Sequence, residues 1–336
     1  MRTFTNPFLK PPYIIAVSLL WFCTVICHAA ERHLWDEGWR FALHPDDAPL
    51  QPDFKDDAWR LLDLPHDWAI EGDFYAQNPS GANGGALPGG IGWYRKHLAL
   101  HDNDAASRYV LHFDGAYMNT SVYVNGTLLG TRPYGFISFS YDITPHLNKQ
   151  GDNVVAVKVD NSRQPNSRWY TGCGVYRHVY LSKSTDVRVA EWGVQSISEV
   201  KKGVGHVTLN TQIENFSGRS RRVTVRQKLW NKARRLVMQT LKTCDVAVSG
   251  TTVKQQMRVP KPQLWSPASP NLYTITTEII ENGRELDGDT IRMGMRTVAF
   301  DAKQGFFLNG KNMKINGVCL HGDLGCLGAG IIEDAL

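Results

Sequence analysis

Short alternating runs of apolar and polar residues fill most of this 336-residue chain. In Thr120 to Val124, Val122 and Val124 fall on one face, and Asn125-Gly126 can take the positive φ angles of a two-residue turn. The pattern predicts a hairpin that returns through Thr127 to Gly130. Arg108 to Phe113, Asn153 to Val159 and Val175 to Leu181 read as further half-buried strands. Helical periodicity is sparse. Together these runs predict an all-β start, a sandwich of jelly-roll type over 31–184.

A second set of strands follows. Val207 to Ile213, Arg222 to Lys228 and Leu272 to Ile280 alternate, and Asn282-Gly283 closes another hairpin. This predicts a compact immunoglobulin-like β-sandwich over 185–298, without the disulfide-plus-tryptophan signature of antibody domains. Trp265-Ser266-Pro267, with Pro270 behind, marks a loop before a strand. Gly81 to Gly92 holds six glycines and reads as a long shaped loop rather than a packed strand or helix.

The last stretch changes character. Asn309-Gly310 sits between apolar Phe306-Phe307-Leu308 and Lys311, again a type I′ turn signal. Met313 to Leu320 then reads as a buried strand that ends in the polar residues His321 and Asp323. Polar side chains just past a buried strand are where α/β barrels build their sites. One strand is not a barrel, so 299–336 is expected to be the start of a truncated one. An unpaired apolar strand there would be an aggregation hazard.

Composition adds a compartment. Arg2 and Lys10 precede the apolar run Ile14 to Cys27, and Cys27-His28-Ala29-Ala30 offers a small-residue cleavage site. Residues 1–30 therefore read as an export signal; the alternative, an uncleaved membrane anchor, is disfavoured by so short a run. The expected location is periplasmic or secreted. No second run is long enough to cross a bilayer, so no membrane contact is expected after cleavage. Net charge is +5, and losing Arg2 and Lys10 would lower it by two, too balanced to argue for nucleic acid. Cys173, Cys244, Cys319 and Cys326 lack CxxC spacing, so zinc is not expected and free, mostly buried thiols are. No cofactor motif occurs.

For chemistry, the aromatics come first. Trp35, Trp39, Trp59, Trp68 and Trp93 suit a sandwich core, where large rings bury most area. Trp169 differs: it stands in Ser167 to Arg177 (SRWYTGCGVYR), beside Arg168 and ahead of Gly172 and Gly174. An indole with a neighbouring guanidinium could recognise a polyhydroxyl ligand, or the two could simply brace the domain. His66-Asp67-Trp68 lacks a serine in a nucleophile elbow and reads as structural, with Asp67 making turn hydrogen bonds. His321 could donate to a sugar hydroxyl and Asp323 could accept from one; a satisfied strand-end histidine is the alternative. Cleavage of a glycoside needs two opposed carboxyl groups. No credible pair is visible, so no catalytic residue is assigned, and His321, Asp323, Arg168 and Trp169 are the candidate substrate contacts.

Six ordered motifs carry a resemblance. LPHDWAIEGDF (64–74), LPGGIGWYRK (87–96), the run Phe113 to Leu147, SRWYTGCGVYRHVYL (167–181), LWSPASPNLYTI (264–275) and Gly305 to Gly328 resemble glycoside hydrolase family 2, particularly exported β-galactosidase-like members. The resemblance implies a jelly-roll sugar-binding domain, an immunoglobulin-like sandwich and then a (β/α)8 barrel. It implies retaining hydrolysis of a terminal β-linked sugar by two glutamates on later barrel strands, which have no counterpart here. His321 matches a pocket histidine at the end of the first barrel strand. Gly322 stands where many relatives have a second histidine. Asn166 to Trp169 matches a rim loop that carries an acidic residue in some members; Asn166, Ser167 and Arg168 do not supply one. The chain alone is expected to be inactive, with carbohydrate as its ligand and a homo-oligomer open for a longer enzyme. A stand-alone carbohydrate-binding pair, or a scaffold for a separate barrel, are the other readings.

Overall fold

The computed structural model describes residues 31–336 except 46–48, 101–107, 320 and 336. The expected export signal therefore lies outside the described residues, as does Leu320. Ten strands build the first sandwich: β1 (Glu31–Leu34), β2 (Trp39–Leu43), β3 (Arg60–Leu62), β4 (Gly90–Leu100), β5 (Arg108–Phe113), β6 (Thr120–Val124), β7 (Thr127–Arg132), β8 (Phe139–Asp142), β9 (Gly151–Asn161) and β10 (Val179–Ser184). They form a four-stranded sheet, β1-β10-β5-β8, and a six-stranded sheet, β3-β2-β4-β9-β6-β7. The inward faces meet in one apolar core that contains Trp39, Phe41, Trp68, Tyr94, Phe113 and Phe139. On the other face of β4 from Tyr94, beneath the segment that carries Pro49 and Phe54, Arg95 and Asp56 form a buried ion pair at 2.8 Å.

Seven strands build the second: β11 (Val187–Lys201), β12 (Val204–Asn215), β13 (Arg221–Trp230), β14 (Leu236–Val246), β15 (Thr251–Pro260), β16 (Tyr273–Glu281) and β17 (Arg284–Met293). The sheets are β11-β12-β15 and β14-β13-β16-β17. The core is divided. Val187, Ile213, Val225 and Ile279 fill one part, and Leu209, Leu229, Met257 and Ile275 the other. Between them the buried Gln227 amide donates to Thr211 (2.9 Å) and Thr277 (3.1 Å). Gln227 and Thr277 occupy inward positions of otherwise apolar faces, and each polar group there needs a partner because water is excluded.

The hairpin turns form as the sequence implies: Asn125-Gly126, Asn282-Gly283 and Asn309-Gly310 all have positive φ. Three expectations are corrected. Gly90, Ile91 and Gly92 belong to β4 rather than to a loop. A Cβ on Gly92 would lie 2.5 Å from the Trp68 ring, so glycine is what lets that indole lie on the strand. Val175 is buried but lies outside the ladder, which starts only at Val179. Its carbonyl accepts from His66 (2.8 Å), and Gly174 bridges to Tyr117.

The third correction concerns the end of the chain. β18 (Val298–Asp301), β19 (Gly305–Leu308) and β20 (Lys311–Asn312) form a small sheet, and the described residues beyond it, up to Cys319, form no strand. Ile315 is 67% exposed and Val318 94%. A strand buried on both faces needs neighbours on both edges, and β18–β20 offer none past Asn312.

Candidate functional site

The site is assembled around a carboxylate. Asp67, 3% exposed, follows Leu64-Pro65-His66 in the link from β3. Its Oδ1 accepts from the amides of Ala69 (3.0 Å) and Cys173 (2.8 Å). Its Oδ2 accepts from the Ala329 amide (2.9 Å) and from the Tyr170 hydroxyl. Burial first, then the Asp67 charge, push the Tyr170 phenol far above its ordinary value, so it remains a donor. The turn hydrogen bond expected of Asp67 is present, and three further bonds tie the loop after β9 and the segment after Leu327 to one point.

Two glycines permit this approach. A Cβ on Gly172 (φ +71) would lie 2.4 Å from the Ala329 side chain. A Cβ on Gly328 (φ +60) would lie 2.4 Å from Asp67 itself. The Ile331 amide then donates to the Tyr176 carbonyl at 2.9 Å, which fixes the segment along the loop. Cys173 is buried beneath it, with its thiol pushed up to about 12 by burial.

His66 takes no part in a relay with Asp67. Its Nδ1 lies 2.8 Å from the Tyr94 hydroxyl and its Nε2 3.1 Å from Glu71. Burial lowers its pKa, against the pull of Glu71. Arg60 completes that cluster with two bonds to Glu71.

The Asp67 clamp brings Trp169 and His321 together. Their rings stand 6.2 Å apart, edge to face at 72°. They share a cavity of about 560 Å3 with Phe136, Tyr176, Arg177 and Cys319. Phe136 reaches it from the link between β7 and β8 and packs on Tyr117 at 5.1 Å. Trp169 is 44% exposed, unlike the core indoles Trp39, Trp68 and Trp93.

Arg168 and Asp323 are not in the lining. Both are exposed, and no cation–π contact between Arg168 and Trp169 occurs among the described residues. The guanidinium at the cavity is that of Arg177, a residue sequence reasoning passed over although it closes the same SRWYTGCGVYR motif. Asp323 lies nearby, since its charge reaches the Tyr170 phenol. The lining carries no carboxylate. No group of three or more His, Cys, Asp or Glu suited to a metal occurs among the described residues. Of the free thiols among the described residues, only Cys173 is buried; Cys319 and Cys326 are exposed, because the segment that carries them has no partner strand.

The profile of "Glycosyl hydrolases family 2" matches residues 187–296, and that of "Glycosyl hydrolase 2 galactose-binding domain-like" matches 90–190. The chain belongs to glycoside hydrolase family 2. It is 48% identical over 308 residues to β-galactosidase BoGH2A of Bacteroides ovatus, covering 91% of this chain and 36% of that one. A family 2 member from Bacteroides cellulosilyticus superposes with a TM-score of 0.87 at 31% identity, covering 90% of this chain and 40% of that one. A β-glycosidase from Bacteroides vulgatus gives 0.85 at 36% identity, covering 90% and 39%. The chain thus spans about 36–40% of the length of these relatives and corresponds to their amino-terminal part. The family assignment and the two-sandwich order inferred from the motifs agree with these matches.

Proposed function

We propose that this chain is the sugar-contacting, non-catalytic part of a retaining glycoside hydrolase of β-galactosidase type, acting on terminal β-linked sugars. The observation that carries the reading is the Trp169–His321 pair at the mouth of a 560 Å3 cavity. An indole face suits the C–H face of a pyranose, and the imidazole and the Arg177 guanidinium supply hydrogen bonds to its hydroxyls. Isothermal titration of the purified chain with a methyl β-galactoside tests it. Binding should be saturable and should weaken in W169A and H321A; unchanged heats in both variants would refute the assignment.

The same preparation should not turn over a nitrophenyl β-galactoside, because no carboxylate lines this cavity. Three carboxyl groups, Glu191, Asp287 and Asp289, do share a second cavity between the sandwiches. Glu191 is engaged by His112 at 3.3 Å, Asp287 accepts from the Val189 amide at 2.7 Å, and Asp289 accepts from the Thr290 amide. Turnover that vanished in E191Q, D287N or D289N would overturn the non-catalytic reading. Export to the periplasm or medium is proposed from Arg2, Lys10 and the apolar run Ile14 to Cys27. Amino-terminal sequencing of the expressed protein checks it: a mature end near Glu31 is expected, and a retained Met1 would refute it.

A further inference from the structure

The second cavity has a construction of its own. Between Val189 and Val194 the register of β11 against β12 breaks. Ala190 to Gly193 are left out of the ladder, and a Cβ on Gly193 would lie 2.7 Å from the Ala190 carbonyl oxygen. Bulges of this kind re-aim side chains. This one turns Glu191 and Trp192 toward the first sandwich, where Glu191 meets His112 of β5 and the Trp192 ring stands edge-on to the same imidazole at 5.2 Å.

Trp192 is unusual twice over. Its φ is +51, which a bulky residue rarely adopts. It is also 63% exposed, so core packing does not account for the strained backbone. It stands at a cavity of about 350 Å3 between the sandwiches, within the range of roughly 300–1,000 Å3 typical of small-ligand sites. Arg32 of β1 and Asp289 of β17 face the same space. Arg32 lies over the Tyr180 ring at 4.0 Å, which holds its guanidinium in place.

We propose that this cleft is a second carbohydrate subsite, taking one neutral sugar unit on the face of Trp192 with hydroxyls bonded to Arg32, Glu191 and Asp289. Sugar hydroxyls both donate and accept, and the lining supplies both kinds of partner. Its charged groups, Arg32 and Arg188 against Glu191, Asp287 and Asp289, give no positive excess to attract a uronate or a phosphate. The His112 imidazole beside Glu191 holds that carboxyl below the ordinary range as an acceptor. Burial, and beyond it the Glu191 charge, push Asp289 upward against the Thr290 amide and Arg32. The class of ligand rests on the carbohydrate reading above; the place does not.

Affinity electrophoresis of the whole chain through gels containing a soluble neutral β-galactan, β-mannan or β-glucan, with polygalacturonate as the anionic counterpart, decides the matter. At least one neutral glycan should retard the chain. W192A should weaken that retardation about tenfold in apparent dissociation constant, the scale of one aromatic contact. W192F should keep most of it, and W169A should leave a Trp192-dependent component. Since Trp192 is exposed, W192A should stay folded, checked by an unchanged unfolding midpoint. Equal retardation of W192A and wild type, no retardation by any neutral glycan, or preference for polygalacturonate would each overturn the inference. Loss of all retardation in W169A with none in W192A would also overturn it while leaving the Trp169–His321 reading intact. The reverse pattern would sustain the subsite and remove that reading.

Discussion

Replacing Asp67 by alanine should detach the end of the chain from the first sandwich. The substitution removes the acceptor of four donors: the amides of Ala69, Cys173 and Ala329, and the Tyr170 hydroxyl. Each bond to an ionised acceptor contributes about 1.5–3 kcal/mol, and a buried donor left alone costs about 1–3 kcal/mol. These values do not add, because water can enter beside Ala329 once the segment lifts. A net loss of about 3–5 kcal/mol is expected, the range for removing one member of a buried charged cluster. D67N is the finer probe. Its amide oxygen can replace one carboxylate oxygen, but its NH2 group cannot accept from the second pair of donors. It should spare the Ala69 and Cys173 bonds and release Ala329. Urea unfolding gives the stability change at constant slope, and amide hydrogen exchange at Cys173, Ala329 and Ile331 locates it. An unfolding midpoint within error of wild type, with Ala329 still protected in D67N, would refute the clamp.

Other consequences are equally direct. D56A strands the fully buried Arg95 guanidinium and should cost about 3–5 kcal/mol in urea unfolding, whereas an exposed pair such as Arg222–Asp245 should give under 1 kcal/mol. G172A places a methyl group 2.4 Å from the Ala329 side chain on a positive-φ backbone, so limited proteolysis after residue 320 should quicken while β-sheet circular dichroism stays constant. Lys96, whose ammonium lies 4.5 Å from the Trp35 ring centre, has its pKa brought down to about 8 by burial. Its unfolded value is about 10.5, so between the two values the unfolded chain binds more protons and stability should rise from about pH 8 to about pH 10.5. K96M should flatten that slope; an unchanged slope would assign it to other groups.

The two sandwiches were legible because alternation at period two is a local property. Val122 and Val124 must face one way wherever the strand goes, and Asn125-Gly126 must turn there because few other pairs accept positive φ twice. The motifs carried the family for the same reason, as ordered residues need no geometry to be recognised. Gly90 to Gly92 read as loop from sequence because six glycines lie close together, whereas in the fold Trp68 lies on Gly92 of the strand. Met313 to Cys319 differs in the opposite sense, since an apolar run becomes a buried strand only where neighbouring edges exist to receive it. Arg168 looked like the partner of Trp169 because it is adjacent in sequence. The chain bends at these two residues, outside any strand, and Arg168 faces away from the lining, where Arg177 stands instead.

Sequence alone settled the class of fold, the turns and the family, all of which depend on residues within a few positions of one another or on their order. Tertiary structure decided which side chains meet: Asp67 with Ala329, Trp169 with His321, and Glu191 with His112. These partners lie far apart along the chain, and their contacts follow from how two sheets stack and where glycines let backbones approach. No local pattern encodes that distance, because it is set by the packing of everything between.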